Sequence, residues 1–186
     1  MPRIPTVTGD RAEQSELLER TRRQLGRVPN LYAAMAVAPA ALRGYLALRD
    51  ELSAGVTDAR LREQLALLIA HENGCGYCVA AHSLRGQRMG MSAEQLRETC
   101  RAEEGDQHTR GVLRAAREIM RTGGRLTDAQ VAKARRDGVT DAEFAEIVAH
   151  IALNTLANYY NHLAQPELDF PVVAMTAPEG ADPTTR

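Results

Sequence analysis

Residues 63–82 read Glu63-Gln64-Leu65-Ala66-Leu67-Leu68-Ile69-Ala70-His71-Glu72-Asn73-Gly74-Cys75-Gly76-Tyr77-Cys78-Val79-Ala80-Ala81-His82. With Leu61 just upstream, Leu65, Leu68 and Ile69 form one stripe of an amphipathic helix that Thr57-Asp58 can cap. Asn73-Gly74 interrupts the pattern as a left-handed helix terminus does. A second helix is expected from about Cys75 to Met89, with Gly90 after it. On it, positions 75, 78 and 82 are i, i+3 and i+7 and share one face.

Working outward, helical signals fill the chain. A helix is predicted from Asp10 to Leu25, ended by Gly26, then a turn at Arg27-Val28-Pro29-Asn30. Pro39 opens a helix to about Ser53, closed by Gly55. Capping boxes at Ser92/Gln95, Thr127/Gln130 and Thr140/Glu143 mark further helix starts. The remaining helices are expected at about 92–102, Gln107–Arg121, Asp128–Arg136 and Ala142–Ala164. Alanine occurs 30 times and aromatic residues seven times, so the balance favours helix over strand. The predicted fold class is all-α, organised as a lead with the first helix (1–24), a helical domain (25–172) and a flexible tail (173–186). A shift of 80 positions lays Glu63, Cys75, Cys78 and His82 over Glu143, Thr155, Asn158 and His162. If that echo reflects duplication, two pseudo-repeated helical hairpins are expected, only the first with thiols.

Composition excludes several classes. At 186 residues the chain fits one domain. No apolar run, Leu65 to Ala70 among them, is long enough to span a membrane, and residues 1–11 hold no secretory apolar segment. Net charge is −1 without a basic block, which argues against nucleic-acid binding. The 22 arginines against the single Lys133 are dispersed and read as compositional bias. Three cysteines without a secretory signal suggest thiol chemistry in a reducing compartment, with a cytoplasmic location expected.

The thiols carry the chemistry. Both Cys75 and Cys78 sit in the first turn of their helix, where free N–H groups and the macrodipole favour a thiolate. His82 lies one turn beyond Cys78, within direct or water-mediated reach. Glu63 would be about 18 Å from Cys75 on an unbroken helix. It can join the site only if the chain reverses at Asn73-Gly74; there a carboxylate would orient His82 and raise its basicity. A metal site is the rival reading, with His71, Cys75, Cys78 and His82 spaced i, i+4, i+7 and i+11. Such ligands on one straight helix would be strung over about 16 Å and could converge on a tetrahedral ion only through a sharp bend. No metal and no cofactor is therefore expected, and Val79 after the second cysteine rules out covalent haem. Tyr77 could gate the thiols or simply pack. Glu72 is a second carboxylate and His71 a neighbouring group. Cys100 and Met89, Met91 and Met120 read as core, and His108 as surface. His150, Asn154, Asn158 and His162 share a stripe read as interface or polar packing.

Glu63, then eleven residues, then Cys75-x-x-Cys78-x-x-x-His82, resembles the signature of the alkyl hydroperoxidase D group within the carboxymuconolactone decarboxylase superfamily. Arg27-Val28-Pro29-Asn30-Leu31, Asn158-Tyr159-Tyr160-Asn161-His162 and Leu168-Asp169-Phe170-Pro171 resemble its early turn and closing segment, so the likeness covers roughly residues 25–172. The resemblance implies that Cys78 is the peroxidatic thiol and that Cys75 supplies a proton and then resolves the sulfenic acid as a disulfide. Glu63 and His82 would activate Cys78 by proton relay. It further implies a peroxide substrate, an external dithiol or lipoylated thiol carrier as reductant, and a homotrimer or hexamer. One departure is Tyr77, where the best-known peroxidase of the group has histidine; relatives with tyrosine there are usually described as peroxidase-related. Other functions expected of the same scaffold are a muconolactone-type decarboxylating lyase and a non-enzymatic redox sensor.

Overall fold

Side-chain caps start most of the helices that the sequence predicts. Asp58 accepts from the Leu61 amide at 2.9 Å and Asp106 from that of Thr109 at 2.8 Å. Ser92, Thr127 and Thr140 form complete capping boxes with Gln95, Gln130 and Glu143. The computed structural model describes residues 1–9 and 11–169. Among them the fold is all-α: α1 (Ala12–Leu25), α2 (Asn30–Met35), α3 (Pro39–Ser53), α4 (Ala59–Glu72), α5 (Gly76–Arg88), α6 (Ala93–Cys100), α7 (Gln107–Thr122), α8 (Asp128–Arg136) and α9 (Asp141–Ala164), with no strand. No helix among the described residues is long and apolar enough to cross a membrane.

The centre is α4, which packs against α5, α6, α7 and α9. Its stripe of Leu61, Leu65, Leu68 and Ile69 joins Val112, Leu113, Ala116 and Ile147 in one apolar cluster. The opposite side, Leu67 and Ala70, packs with Cys75, Cys78, Val79, Met91, Leu96 and Cys100. Leu65, Leu68 and Ile69 have no solvent exposure, and each stabilises the fold by about 1.5–3 kcal/mol through burial. A third cluster joins α1, α2 and α3 to Leu153 and Ala157 of α9.

Four details differ from the sequence reading. After the turn at Arg27, Pro29 caps the short helix α2, which lacks the length for a visible periodicity. Helix α3 ends at Ser53 as expected, but its cap is Ala54 at φ −101, and Gly55 beyond it adopts no positive φ. The segment that echoes the α4–α5 hairpin is the continuous 24-residue α9, with no break at the position equivalent to Asn73-Gly74, so no second hairpin forms there. Glu143 correspondingly meets His108, at 2.7 Å, and not His162. Asp10 and the tail 173–186 lie outside the described residues.

Candidate active site

The site begins with a chain reversal. Gly74 adopts φ +66, donates to the His71 carbonyl at 3.0 Å, and Cys75 N donates to the Ala70 carbonyl at 2.9 Å. These two bonds form a Schellman terminus, which only a residue tolerant of the left-handed region closes cheaply. Asn73 fastens the corner to α9 by donating to Asn158 Oδ1 at 2.9 Å and Thr155 Oγ1 at 3.3 Å. Helix α5 can then fold back on α4. The reversal brings Glu63 to His82, with Oε1 and Nδ1 2.6 Å apart.

Burial alone would raise the Glu63 pKa, but His82, Arg85 and Arg62 outweigh it and hold this carboxyl below its usual range. Glu63 is therefore ionised and accepts the Nδ1 hydrogen of His82. No hydrogen bond joins His82 directly to either thiol among the described residues, so of the two expected routes, direct or through one water, the direct one is not formed.

The two thiols meet each other instead. Cys75 caps α5 and Cys78 occupies its third position, with both cysteines free, buried and their sulfurs 3.0 Å apart. Asn161 on α9 donates its amide to Cys78 Sγ at 3.0 Å. The hydrogen bond from Cys78 lowers the Cys75 pKa against burial, helped by the Cys78 and Tyr77 backbone amides and by Asn161. The same thiol–thiol bond, with burial, raises Cys78, while Asn158 and Asn161 oppose the rise. Of the two, Cys75 thus yields its proton the more readily and Cys78 holds its own the longer. The reason is position, since a sulfur at the N-cap faces the unpaired amides of the first turn.

The other predicted groups lie elsewhere. Tyr77 directs its hydroxyl away from sulfur chemistry, donating to Asp169 Oδ1 at 2.5 Å and accepting from the Leu31 amide at 3.4 Å. Asp169 also accepts from the Asn30 amide at 3.0 Å. Glu72 pairs with Arg117 at 3.0 Å and Arg121 at 3.4 Å, on the α7 side. His71 is half-buried beside Glu72 and Arg117, and burial lowers its pKa. No three His, Cys, Asp or Glu side chains gather in a metal-holding group among the described residues. Cys100 is core, its thiol pushed up to about 12 by burial.

Sequence reasoning missed Asn161 as a donor to the thiols and placed Asn158 in passive packing. On α9 the buried stripe Asn154, Asn158, Asn161 was the available signal, because amides facing an apolar core need partners. His150 is buried on the same helix, whereas His162 is exposed. Also unforeseen are Arg85, Tyr32 and Tyr45, which form a polar wall near Glu63 and Cys78. The hydroxyls of Tyr32 and Tyr45 lie 3.3 Å apart.

Residues 39–121 match the carboxymuconolactone decarboxylase family. No curated protein matches the sequence. The fold is similar to that of an uncharacterized peroxidase-related protein from Silicibacter sp. TM1040, with TM-score 0.76, 20% identity and 89% of each chain covered. A peroxidase-related protein with an alkylhydroperoxidase AhpD core from Ralstonia eutropha JMP134 gives TM-score 0.77 at 20% identity, covering 89% of this chain and 90% of that one. A variant of the debrominase Bmp8 in complex with 2,3,4-tribromopyrrole gives 0.72 at 17% identity, covering 90% and 91%. The family match spans α3 to α7 and holds all four residues of the Glu–Cys–Cys–His spacing, and the helical frame around it is similar to that of the AhpD-core structures.

Proposed function

We propose that the protein is a thiol-dependent peroxidase and disulfide oxidoreductase, acting on organic hydroperoxides with an external dithiol or lipoylated carrier as reductant. The observation that carries this reading is the free Cys75–Cys78 pair, 3.0 Å apart, built beside an ionised Glu63–His82 dyad. Cys78 attacks the terminal peroxide oxygen while its proton passes to the Cys75 thiolate. The O–O bond breaks, and the leaving alkoxide takes that proton, so alcohol departs and Cys75 is a thiolate again. Cys75 then attacks the Cys78 sulfenic acid. A disulfide forms, and hydroxide leaves with a proton from the His82–Glu63 dyad as water. The dithiol returns two electrons and two protons by exchange. A reducing cytoplasmic setting suits such a cycle.

Homo-oligomerisation, as a trimer or hexamer, belongs to the same proposal. Val148, Leu156, Tyr159 and Leu163 form an exposed apolar face on α9 that association would cover. A decarboxylating lyase would have no use for two thiols within bonding distance. A one-turnover redox sensor is separated from an enzyme by kinetics. The test is steady-state consumption of an organic hydroperoxide with dihydrolipoamide. The wild type should turn over repeatedly, and Cys78→Ser should be inactive. Cys75→Ser should accumulate a trappable sulfenic acid on Cys78. Glu63→Gln should remain folded and lose about a hundredfold in rate, as expected for a lost acid–base partner. A single stoichiometric oxidation in place of turnover would overturn the enzyme reading.

A further inference from the structure

Seven arginines of this chain are half-buried, and six of them have an acceptor. Arg20 and Arg49 pair with Asp50, Arg60 with Glu104 and Arg117 with Glu72. Arg62 donates to the Thr57 carbonyl and Arg110 to that of Gly105. Arg85 makes no hydrogen bond or ion pair among the described residues. A guanidinium carries five donors in a fixed fork, and on the part-buried Arg85 they remain open to a ligand's oxygens.

Its position is not neutral with respect to the thiols. Cys78, His82 and Arg85 are i, i+4 and i+7 on α5 and share the reactive face. Glu63, Tyr32 and Tyr45 act electrostatically on Arg85, and Tyr45 in turn feels both Arg85 and Cys78. Glu63 is committed to His82 and lies beyond ion-pair distance of Arg85. Arg49, the next cation along this wall, also influences Arg85, and its own Nη1 is buried without a hydrogen bond. The wall is thus supplied with unspent donors and phenols, beside two thiols.

The geometry points to an anion subsite: the Arg85 guanidinium receives a carboxylate of the molecule whose reactive atom meets Cys75 and Cys78. This rests on the thiol-chemistry reading and narrows its substrate class to small organic acids. Seven residues of helix separate the Cα atoms of Cys78 and Arg85 by about 10 Å. Side chains lean toward the helix N-terminus, so the acid group and the reactive atom are separated by no more than that distance.

Two alkylating agents of nearly equal shape test the subsite without any peroxide. In each, a thiolate sulfur forms a bond to the methylene carbon and iodide leaves; iodoacetate carries a carboxylate and iodoacetamide does not. Alkylation of the Cys75/Cys78 peptide is followed by mass spectrometry in the full-length protein, so that reaction at Cys100 is counted separately. The iodoacetate-to-iodoacetamide rate ratio should fall on the order of tenfold in Arg85→Gln, the scale of one charged hydrogen bond. Arg85→Lys, which keeps the charge and loses the fork, should retain an intermediate ratio. A change in thiol activation alone moves both rates together and leaves the ratio unchanged. An unchanged ratio in Arg85→Gln would overturn the subsite and reduce Arg85 to a distant counter-ion of Glu63. The peroxidase assay above is independent: a fallen ratio without turnover keeps the subsite and removes the enzyme. With turnover, Arg85→Gln should raise KM for a carboxylated hydroperoxide and not for its methyl ester.

Discussion

Replacing Asn161 by leucine should separate thiol activation from folding stability. The amide nitrogen is 3.0 Å from Cys78 Sγ, and its donation lowers the pKa of both thiols. Its carbonyl oxygen Oδ1 is buried and makes no hydrogen bond. Removing a donor to a charged sulfur costs the thiolate about 1.5 kcal/mol, or about one pKa unit. The pH profile of the reactive thiolate then moves up by about one unit. Stability moves the other way, because the orphaned oxygen, itself a penalty of about 1–3 kcal/mol, is also removed. Leucine fills a similar volume, so Tm should hold or rise by about 2–4 °C for a chain of this size. The assay pairs the pH dependence of iodoacetamide alkylation, read on the Cys75/Cys78 peptide, with thermal melting by circular dichroism. An unshifted alkylation profile together with a lower Tm would refute the reasoning and make Asn161 a structural pillar.

Two further outcomes follow from the same structure. Thermal stability should fall on acidification in two stages. His71 and His150 are lowered by burial from an ordinary 6.5, so their contribution is complete above that pH and declines below it. Glu63, held below its ordinary 4.5, contributes above that value and loses its share as pH falls through the depressed one; a Tm that rises between pH 6.5 and 4 would contradict these signs. At the helix corner, Gly74→Ala meets no atom within 4 Å and suffers only from φ +66, a cost of about 1–2 kcal/mol. Gly76→Ala, equally uncrowded and without a positive φ, should leave Tm unchanged or slightly higher, and equal losses in the two variants would count against the backbone argument.

Much of the local structure was readable from single side chains. Ser92, Thr127 and Thr140 announced their helices because a cap is a bond within four residues, and Gly74 announced its break for the same reason. Helix α2 escaped notice because six residues are too few for a period, and its start depends on Asp169, some 139 residues away, which accepts from Asn30. The echo at a shift of 80 misled for a related reason. Matching Glu63 and His82 to Glu143 and His162 says nothing of chain direction, and α9 runs straight through where α4 and α5 reverse.

By itself, the sequence determined the all-helical class, the helix break and the Glu–Cys–Cys–His spacing. Each depends on residues close in the chain or on a helical period. Tertiary structure alone decided which sulfur yields its proton the more readily, since that depends on the 3.0 Å thiol contact and on an α9 amide 83 residues from Cys78. It also decided that Arg85 is left without an acceptor among the described residues while the other half-buried arginines find one. Nothing local distinguishes one arginine of 22 from another. Partners that meet across helices are set by packing, and electrostatic energies in a buried site follow those distances and not the spacing along the chain.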